Sequence, residues 1–247
     1  MTHTEGGEHR RPAPHDFEQK LREAIEELAR DMHGEHASLA KTLDIITAGA
    51  LELIPGAEHA GITLATRDHR FDSRAATSEL PRRIDRLQYH LQDGPCIQAI
   101  WDKATIRVND LSTEDRWPRF ATEATALGVR SMLSFRLYTT GTTLGALNLH
   151  STRPHAFDDE NISIGTSIAT HAALAVVAAL REEQFRTAQA TRDVIGQAKG
   201  ILMHQFRIDA DAAFDLLRRL SQERNQPLHD IATELVATAP TDPDHEP

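Results

Sequence analysis

A single cysteine, Cys96, stands in 247 residues. That excludes an intramolecular disulfide, a four-cysteine zinc site and any CxxC redox pair. Long apolar runs are missing too. The longest, residues 172–180, is closed by Arg181 and falls well short of the roughly 20 residues a membrane-spanning helix needs, so no spanning segment is expected. The first residues, MTHTEGGEHRRPAPHD, lack the apolar centre of a secretory signal. An excess of base is absent as well: 27 Lys and Arg stand against 37 Asp and Glu, a formal charge of −10. A protein that coats nucleic acid or anionic membrane by bulk charge would carry the opposite balance. The chain holds no P-loop, no GxSxG, no HExxH and no convincing acid pair. These absences together predict a cytoplasmic, non-membrane protein.

What is present suffices for a core. Apolar residues make up 40% and charged residues 26%, and the length suits one large or two modest domains. Residues 1–15 and 239–247 read as disordered tails rich in charge, Pro and Gly. Phe17, Leu21, Ile25 and Leu28, and then Leu39, Leu43, Ile46, Ala50 and Leu53, follow helical spacing, and Pro55-Gly56 ends the second helix. Strands are expected at Ile62–Leu64 and at 71–77, on either side of a turn at Arg67-Asp68-His69. Ile84, Leu87, Tyr89 and Leu91 predict a short helix before Asp93-Gly94-Pro95, and residues 96–101 another. A short strand at 105–108 and a helix at 120–127, closed by Gly128 at C′, come next. Strands at 132–138 and 143–150 around Thr139-Thr140-Gly141-Thr142 form a hairpin signal, which favours an antiparallel sheet.

At Asp158 the pattern changes. Asp158 reads as an N-cap with Asp159 and Glu160 in the first turn, and no proline follows until well past Phe206. An unbroken helix there would be roughly 70 Å long, a length that usually calls for a partner chain. Its first half is rich in alanine. Two further helices are expected, one over 209–224 behind an N-cap at Asp209, the other over 227–238 with Pro227 at its first position. Ala198, Leu202, Ala213, Leu217 and Ala232 would form their shared core.

Three blocks carry a specific resemblance: Arg192-Asp193-Val194-Ile195-Gly196-Gln197-Ala198-Lys199-Gly200-Ile201-Leu202-Met203, Ala212-Ala213-Phe214-Asp215-Leu216-Leu217-Arg218, and Asp230-Ile231-Ala232. In register, they resemble the ANTAR domain, a three-helix RNA-binding module of bacterial transcription antiterminators, over residues 187–238. Residues 36–182 look like a GAF domain, a small-molecule-binding or signalling fold. That resemblance rests on the order of elements, on Gly145-Ala146-Leu147-Asn148-Leu149-His150 with Pro154-His155-Ala156-Phe157-Asp158-Asp159-Glu160, and on the Gly94-Pro95-Cys96 turn. The expected class is α+β: an antiparallel-sheet GAF-like domain (16–182, with N-terminal helices) joined by a long helix to a three-helix ANTAR-like domain (183–238). By resemblance the output binds paired RNA stem-loops as a homodimer, and the sensor takes a small molecule of unnamed identity.

Charge alone does not point to RNA. Between 187 and 238, Arg192, Lys199, Arg207, Arg218, Arg219 and Arg224 face seven acids, although affinity for nucleic acid normally leans on phosphate neutralisation. The resemblance implies RNA contacts, for which Arg192, Gln197, Lys199, Arg218 and Arg219 are the candidates, each equally readable as a solvated helix face. Gly196 and Gly200 form a GxxxG spacing that reads as close packing by a neighbouring helix. Tyr89, Cys96, Trp101, Asn109, Met132 and Phe135 line the expected ligand pocket, between the sheet and residues 80–110, or are core. Cys96, near a helix start, would have a lowered pKa as a redox thiol or behave as a small hydrophobe. His33, Glu35 and His36, like His150 and His155, lack metal-ligand spacing, so no metal and no catalytic residue is expected. The alternatives to an RNA-binding regulator are a cysteine-dependent reductase on the GAF fold and a regulator acting through DNA or protein contacts.

Overall fold

The computed structural model describes residues 23–24, 26–31, 38–65, 71–102, 104–139 and 142–238. Outside them lie both expected tails, Phe17, Leu21 and Ile25, the turn at 67–69, the hairpin tip at 140–141, and His33, Glu35 and His36. Helical residues 26–31 precede helix α1 (Leu39–Leu53), whose N-cap Ser38 accepts a hydrogen bond from the Lys41 N–H. Then follow β1 (His59–Ala65), β2 (Phe71–Arg74), α2 (Glu79–Leu91), α3 (Pro95–Trp101), β3 (Thr105–Val108), a 3-10 turn (Leu111–Thr113), α4 (Pro118–Ala126), β4 (Ser131–Thr139), β5 (Thr142–Ser151), α5 (Asp159–Phe206), α6 (Ala210–Arg224) and α7 (Leu228–Thr238). β2 is shorter than expected, because the chain leaves the sheet at Ala75, whose φ is +47°. The described residues divide into two compact units at Leu180/Arg181.

In the first unit the strands form one sheet in the order β2-β1-β5-β4-β3, antiparallel throughout. Strand alternation gives this sheet two faces. One carries Ala60, Ile62, Leu133, Phe135, Leu137, Leu147 and Leu149, buried against Leu43, Ile46 and Ala50 of α1 and Ile164, Ile168, Ala172 and Val176 of α5. Two glycines permit the close approaches. A Cβ on Gly145, at φ +152°, would lie 1.9 Å from the Thr63 carbonyl of the next strand, and one on Gly165 would lie 2.1 Å from the Phe135 ring. The opposite face is covered by α2 and α3: Met132 packs with Ile84 and Ala99, and Ala146 with Cys96 and Ile100.

α5 begins as Asp158 implied. The Asn161 N–H donates to Asp158 Oδ1 at 2.9 Å, and the Asp158 N–H donates back to Asn161 Oδ1 at 3.1 Å, a reciprocal cap that satisfies two otherwise orphan donors. The expectation of no membrane-length segment rested on uninterrupted apolar residues and needs correction. By length and composition α5 does qualify, with an 18-residue window of mean hydropathy 1.7, because Ser163, Gly165, Thr166, Ser167 and Thr170 break the apolar run yet lower its mean only slightly. Half of that window is buried within the structure, where its apolar residues join the sheet's core.

In the second unit, Ala198, Leu202, Ala213, Leu217, Ile231 and Ala232 form the core, the expected set with Ile231 added. Asp209 caps α6 by accepting from the Ala212 N–H at 2.8 Å. Asn225 ends α6 in the left-handed conformation. α7 starts one residue later than expected, with the Pro227 carbonyl accepting from the Asp230 and Ile231 N–H groups.

Candidate functional site

The α2–α3 face of the sheet is polar where a core should be apolar. Gly61, Asn148 and Ser134 lie side by side across β1, β5 and β4, and Thr63, Ala146 and Arg136 form the next row. Thr63, Ser134, Asn148 and His150 are buried, as are Asp85 and Gln88 of α2, which stand three residues apart and so on one helix face. Asn148 Nδ2 donates to Thr63 Oγ1 at 3.0 Å and to Cys96 Sγ at 3.2 Å. The Ser73 hydroxyl donates to Asp85 Oδ2 at 2.5 Å, and the Cys96 N–H donates to Gln88 Oε1 at 2.8 Å. The Gly94 turn seats this last pair: at φ +126°, a Cβ there would meet Gln88 Oε1 at 2.6 Å.

These bonds leave the cluster incomplete. Asp85 Oδ1, Gln88 Nε2, Ser134 Oγ, Asn148 Oδ1 and both ring nitrogens of His150 are buried without a hydrogen-bond partner. Each such group costs about 1–3 kcal/mol, and native interiors hold few of them. Burial pushes the Asp85 carboxyl up to about 6 against the pull of hydrogen bonds from Ser73 and Thr63. It also pushes His150 down to about 3, helped by nearby His59. Burial, and then the Asp85 charge, push the Cys96 thiol up to about 12. Cys96 is therefore a protonated thiol and not an activated one; its place near the start of α3 is outweighed by desolvation.

Of the expected pocket residues, Cys96 lies in this polar cluster. Tyr89 and Trp101, each 46% exposed, flank Phe71 at centroid distances of 6.2 and 6.4 Å. Met132 faces the α2–α3 side but belongs to the apolar cluster of α2 and α4. Asn109 is exposed, and its carbonyl accepts from the His155 N–H at 2.6 Å. Phe135 lies on the opposite face of the sheet, in the α1–α5 core, because odd and even positions of β4 point to opposite sides. Asp85, Gln88, Thr63, Ser73, Ser134 and Asn148 were not among the pocket candidates read from the sequence. The usable signal was polar residues alternating inside β1, β4 and β5 opposite an amphipathic α2. A groove of about 700 Å³ lies elsewhere, lined by Glu52, Pro55, Arg153, Asp158 and Asn161 among others, and none of these side chains is both buried and unpartnered. Among the described residues, no group of three His, Cys, Asp or Glu side chains is placed to hold a metal ion.

The second unit presents a different surface. Arg192, Gln197, Arg218 and Arg219 are exposed and Lys199 is half-buried. Lys199 Nζ sits 5.9 Å from the centre of the Phe214 ring, within cation–π range. Arg218 pairs with Asp215 at 3.0 Å. Phe214, Met203 and Phe206 are 40%, 36% and 56% exposed. Arg192, Lys199, Met203 and Phe206 share one face of α5 by their spacing. Gly196 and Gly200 have nothing within 4 Å of where a Cβ would stand. The close helix neighbour expected for the GxxxG spacing is therefore not found among the described residues.

Comparison with known proteins agrees with both units. The GAF domain model matches residues 36–177, and the ANTAR domain model matches residues 183–236. No curated protein matches the chain. Among solved structures, the chain is similar to the GAF domain of a phosphoenolpyruvate-protein phosphotransferase from Acinetobacter, at 14% identity and TM-score 0.51, covering 67% of this chain and 98% of that one. The corresponding GAF domain from Coxiella burnetii aligns at 14% identity and TM-score 0.53, with the same coverage of 67% and 98%. The free methionine-R-sulfoxide reductase of Neisseria meningitidis aligns at 18% identity and TM-score 0.53, covering 66% of this chain and 91% of that one. At these identities the likeness establishes the fold. With the GAF model matched over more than half its length, this chain belongs to the GAF domain family and carries an ANTAR domain C-terminal to it.

Proposed function

We propose that the protein is a cytoplasmic, homodimeric, signal-responsive regulator of transcription antitermination, and not an enzyme. The GAF unit takes a small molecule in the chamber between the sheet and α2–α3. The ANTAR unit binds paired stem-loops in nascent mRNA and prevents a terminator from forming. The observation that carries this reading is the ANTAR match at residues 183–236, directly behind the GAF unit. Arg192, Gln197, Lys199, Arg218 and Arg219 are its proposed RNA contacts, suited to the splayed bases of loops. The two units share one uninterrupted helix, α5. Residues 181–190 of that helix are exposed all round, with Phe185 60% exposed, which suits pairing with a second copy. A ligand that binds two arrangements of the paired helix with different affinity shifts their populations, and so switches the output. The protonated Cys96 thiol speaks against the reductase alternative.

The test is binding of the full chain, at fixed salt, to transcript fragments with paired stem-loops, against scrambled RNA and duplex DNA, with Lys199→Glu and Arg218→Glu alongside. Specific RNA binding that the variants lose upholds the reading. Equal binding to duplex DNA, or none to any nucleic acid with and without small-molecule additives, overturns it in favour of DNA or protein contacts.

A further inference from the structure

Resting on the reading of the GAF unit as a small-molecule sensor, we infer that its chamber binds a small organic cation bearing two or more N–H donors, such as an amidine, a guanidine or a polyamine, with Asp85 as counter-ion and Asn148 as second acceptor. The argument starts from the imbalance of the buried groups. Asp85 is buried, and its Oδ2 is occupied by the Ser73 hydroxyl while Oδ1 has no partner. No Lys or Arg among the described residues forms an ion pair with it. Arg136, the cation in the neighbouring strand row, is instead turned onto the Tyr138 ring, 4.9 Å from its centre. A buried carboxylate without a cation is among the least favourable groups a core can hold.

Around it the open valences are complementary to such a ligand. Asn148 commits its Nδ2 to Thr63 and Cys96 and leaves Oδ1 open. Thr63 neighbours both groups: its hydroxyl accepts from Asn148 and pulls the Asp85 carboxyl down against burial. The chamber thus offers a charged acceptor and a neutral one within a single cluster. A phosphate or carboxylate ligand would meet the Asp85 charge, and the cation of the next row, Arg136, lies over the Tyr138 ring and pairs with no carboxylate among the described residues, which makes cyclic nucleotides and organic acids the wrong class. The thiol of Cys96, already accepting from Asn148, serves as wall and not as reactant.

The test uses the full chain at pH 7.5, titrated with benzamidine and agmatine as N–H cations, tetramethylammonium as a cation without N–H, and cyclic AMP and citrate as anions. Melting temperature and backbone amide resonances are followed. The expected result is a rise of several degrees with benzamidine or agmatine only, with shifts at Thr63, Gln88 and Cys96. Asp85→Asn weakens that binding at least tenfold. Should Asp85→Asn fail to fold, the resonance map in the unaltered protein and a weakening by Asn148→Ala decide the matter. If an anion or tetramethylammonium shifts the chamber resonances instead, the cation class is wrong and the sensor reading survives. If no probe shifts them, both the cation class and this sensor site are overturned, while the RNA test stands apart.

Discussion

The two faces of the five-stranded sheet are made by the same strands, yet they are built on opposite terms. Toward α1 and α5, the central strands present Ala60, Ile62, Leu133, Phe135, Leu137, Leu147 and Leu149, and the fit is tight enough that a Cβ on Gly165 would lie 2.1 Å from the Phe135 ring. Toward α2 and α3, Asp85, Gln88, Ser134, Asn148 and His150 are buried with bonding capacity unused. The first face supplies stability through area removed from water and close packing. The second forgoes stability to keep a polar chamber, the usual signature of a place where a fold holds chemistry.

That contrast breaks most readily on the apolar face. Phe135→Ala removes a ring 1% exposed and should cost about 3–5 kcal/mol, read as a lower urea midpoint. If the loss is under about 1 kcal/mol, this face is not the main core. On the chamber side the sign should reverse. Asp85→Asn is expected to stabilise the unliganded protein by about 1–3 kcal/mol at pH 7. Because the folded carboxyl titrates at about 6, above its ordinary 3.8, the folded state binds the proton more tightly. Wild-type stability therefore falls as pH rises from about 4 to 6, and the gain from Asp85→Asn grows over that window and then levels. His150 works the other way: its folded value of about 3 lies below the ordinary 6.5, so its contribution is full above 6.5 and is lost as pH falls toward 3. Unfolding followed from pH 3 to 8 in wild type, Asp85→Asn and His150→Met separates the two limbs.

Gly165→Ala sharpens the picture of the packed face, because its Cβ would meet a ring with no room to retreat. A loss of about 1–3 kcal/mol is expected, whereas an unchanged melting temperature would mean that Phe135 can rotate away. The smallest effect on stability belongs to the second unit's outer surface. Lys199→Glu should stay within about 0.5 kcal/mol of wild type while weakening RNA binding at least tenfold and lowering its salt slope by about one. An unchanged salt slope would remove Lys199 from the RNA surface.

Much of this architecture was legible because it is written in local terms. The Asp158 and Asp209 caps, the Gly128 terminus, the hairpin strands and the core of Ala198, Leu202, Ala213, Leu217 and Ala232 follow from periodicity and cap chemistry alone. The chamber was not legible. Asn148 and His150 alternate with Leu147 and Leu149 as the outer residues of a half-solvated strand would, and nothing local says that α2 and α3 cover them. Phe135 reads as pocket or core alike, because hydrophobicity marks burial but not the side of the sheet; the structure puts it in the core. The GxxxG spacing was read as a helix contact, yet both glycines face open space in this chain.

By itself, the amino-acid sequence determined the class of fold, the family of each unit and the continuity of α5, since these rest on spacings of a few residues and on blocks of adjacent side chains. Only the tertiary structure decided which side of the sheet is sealed by fat and which by polar groups, that Cys96 is a protonated wall thiol, and that Asp85 stands without a cation. Those properties depend on segments as far apart as Thr63, Asp85 and Asn148, and desolvation is set by what the whole fold brings over a residue, not by its neighbours in the chain.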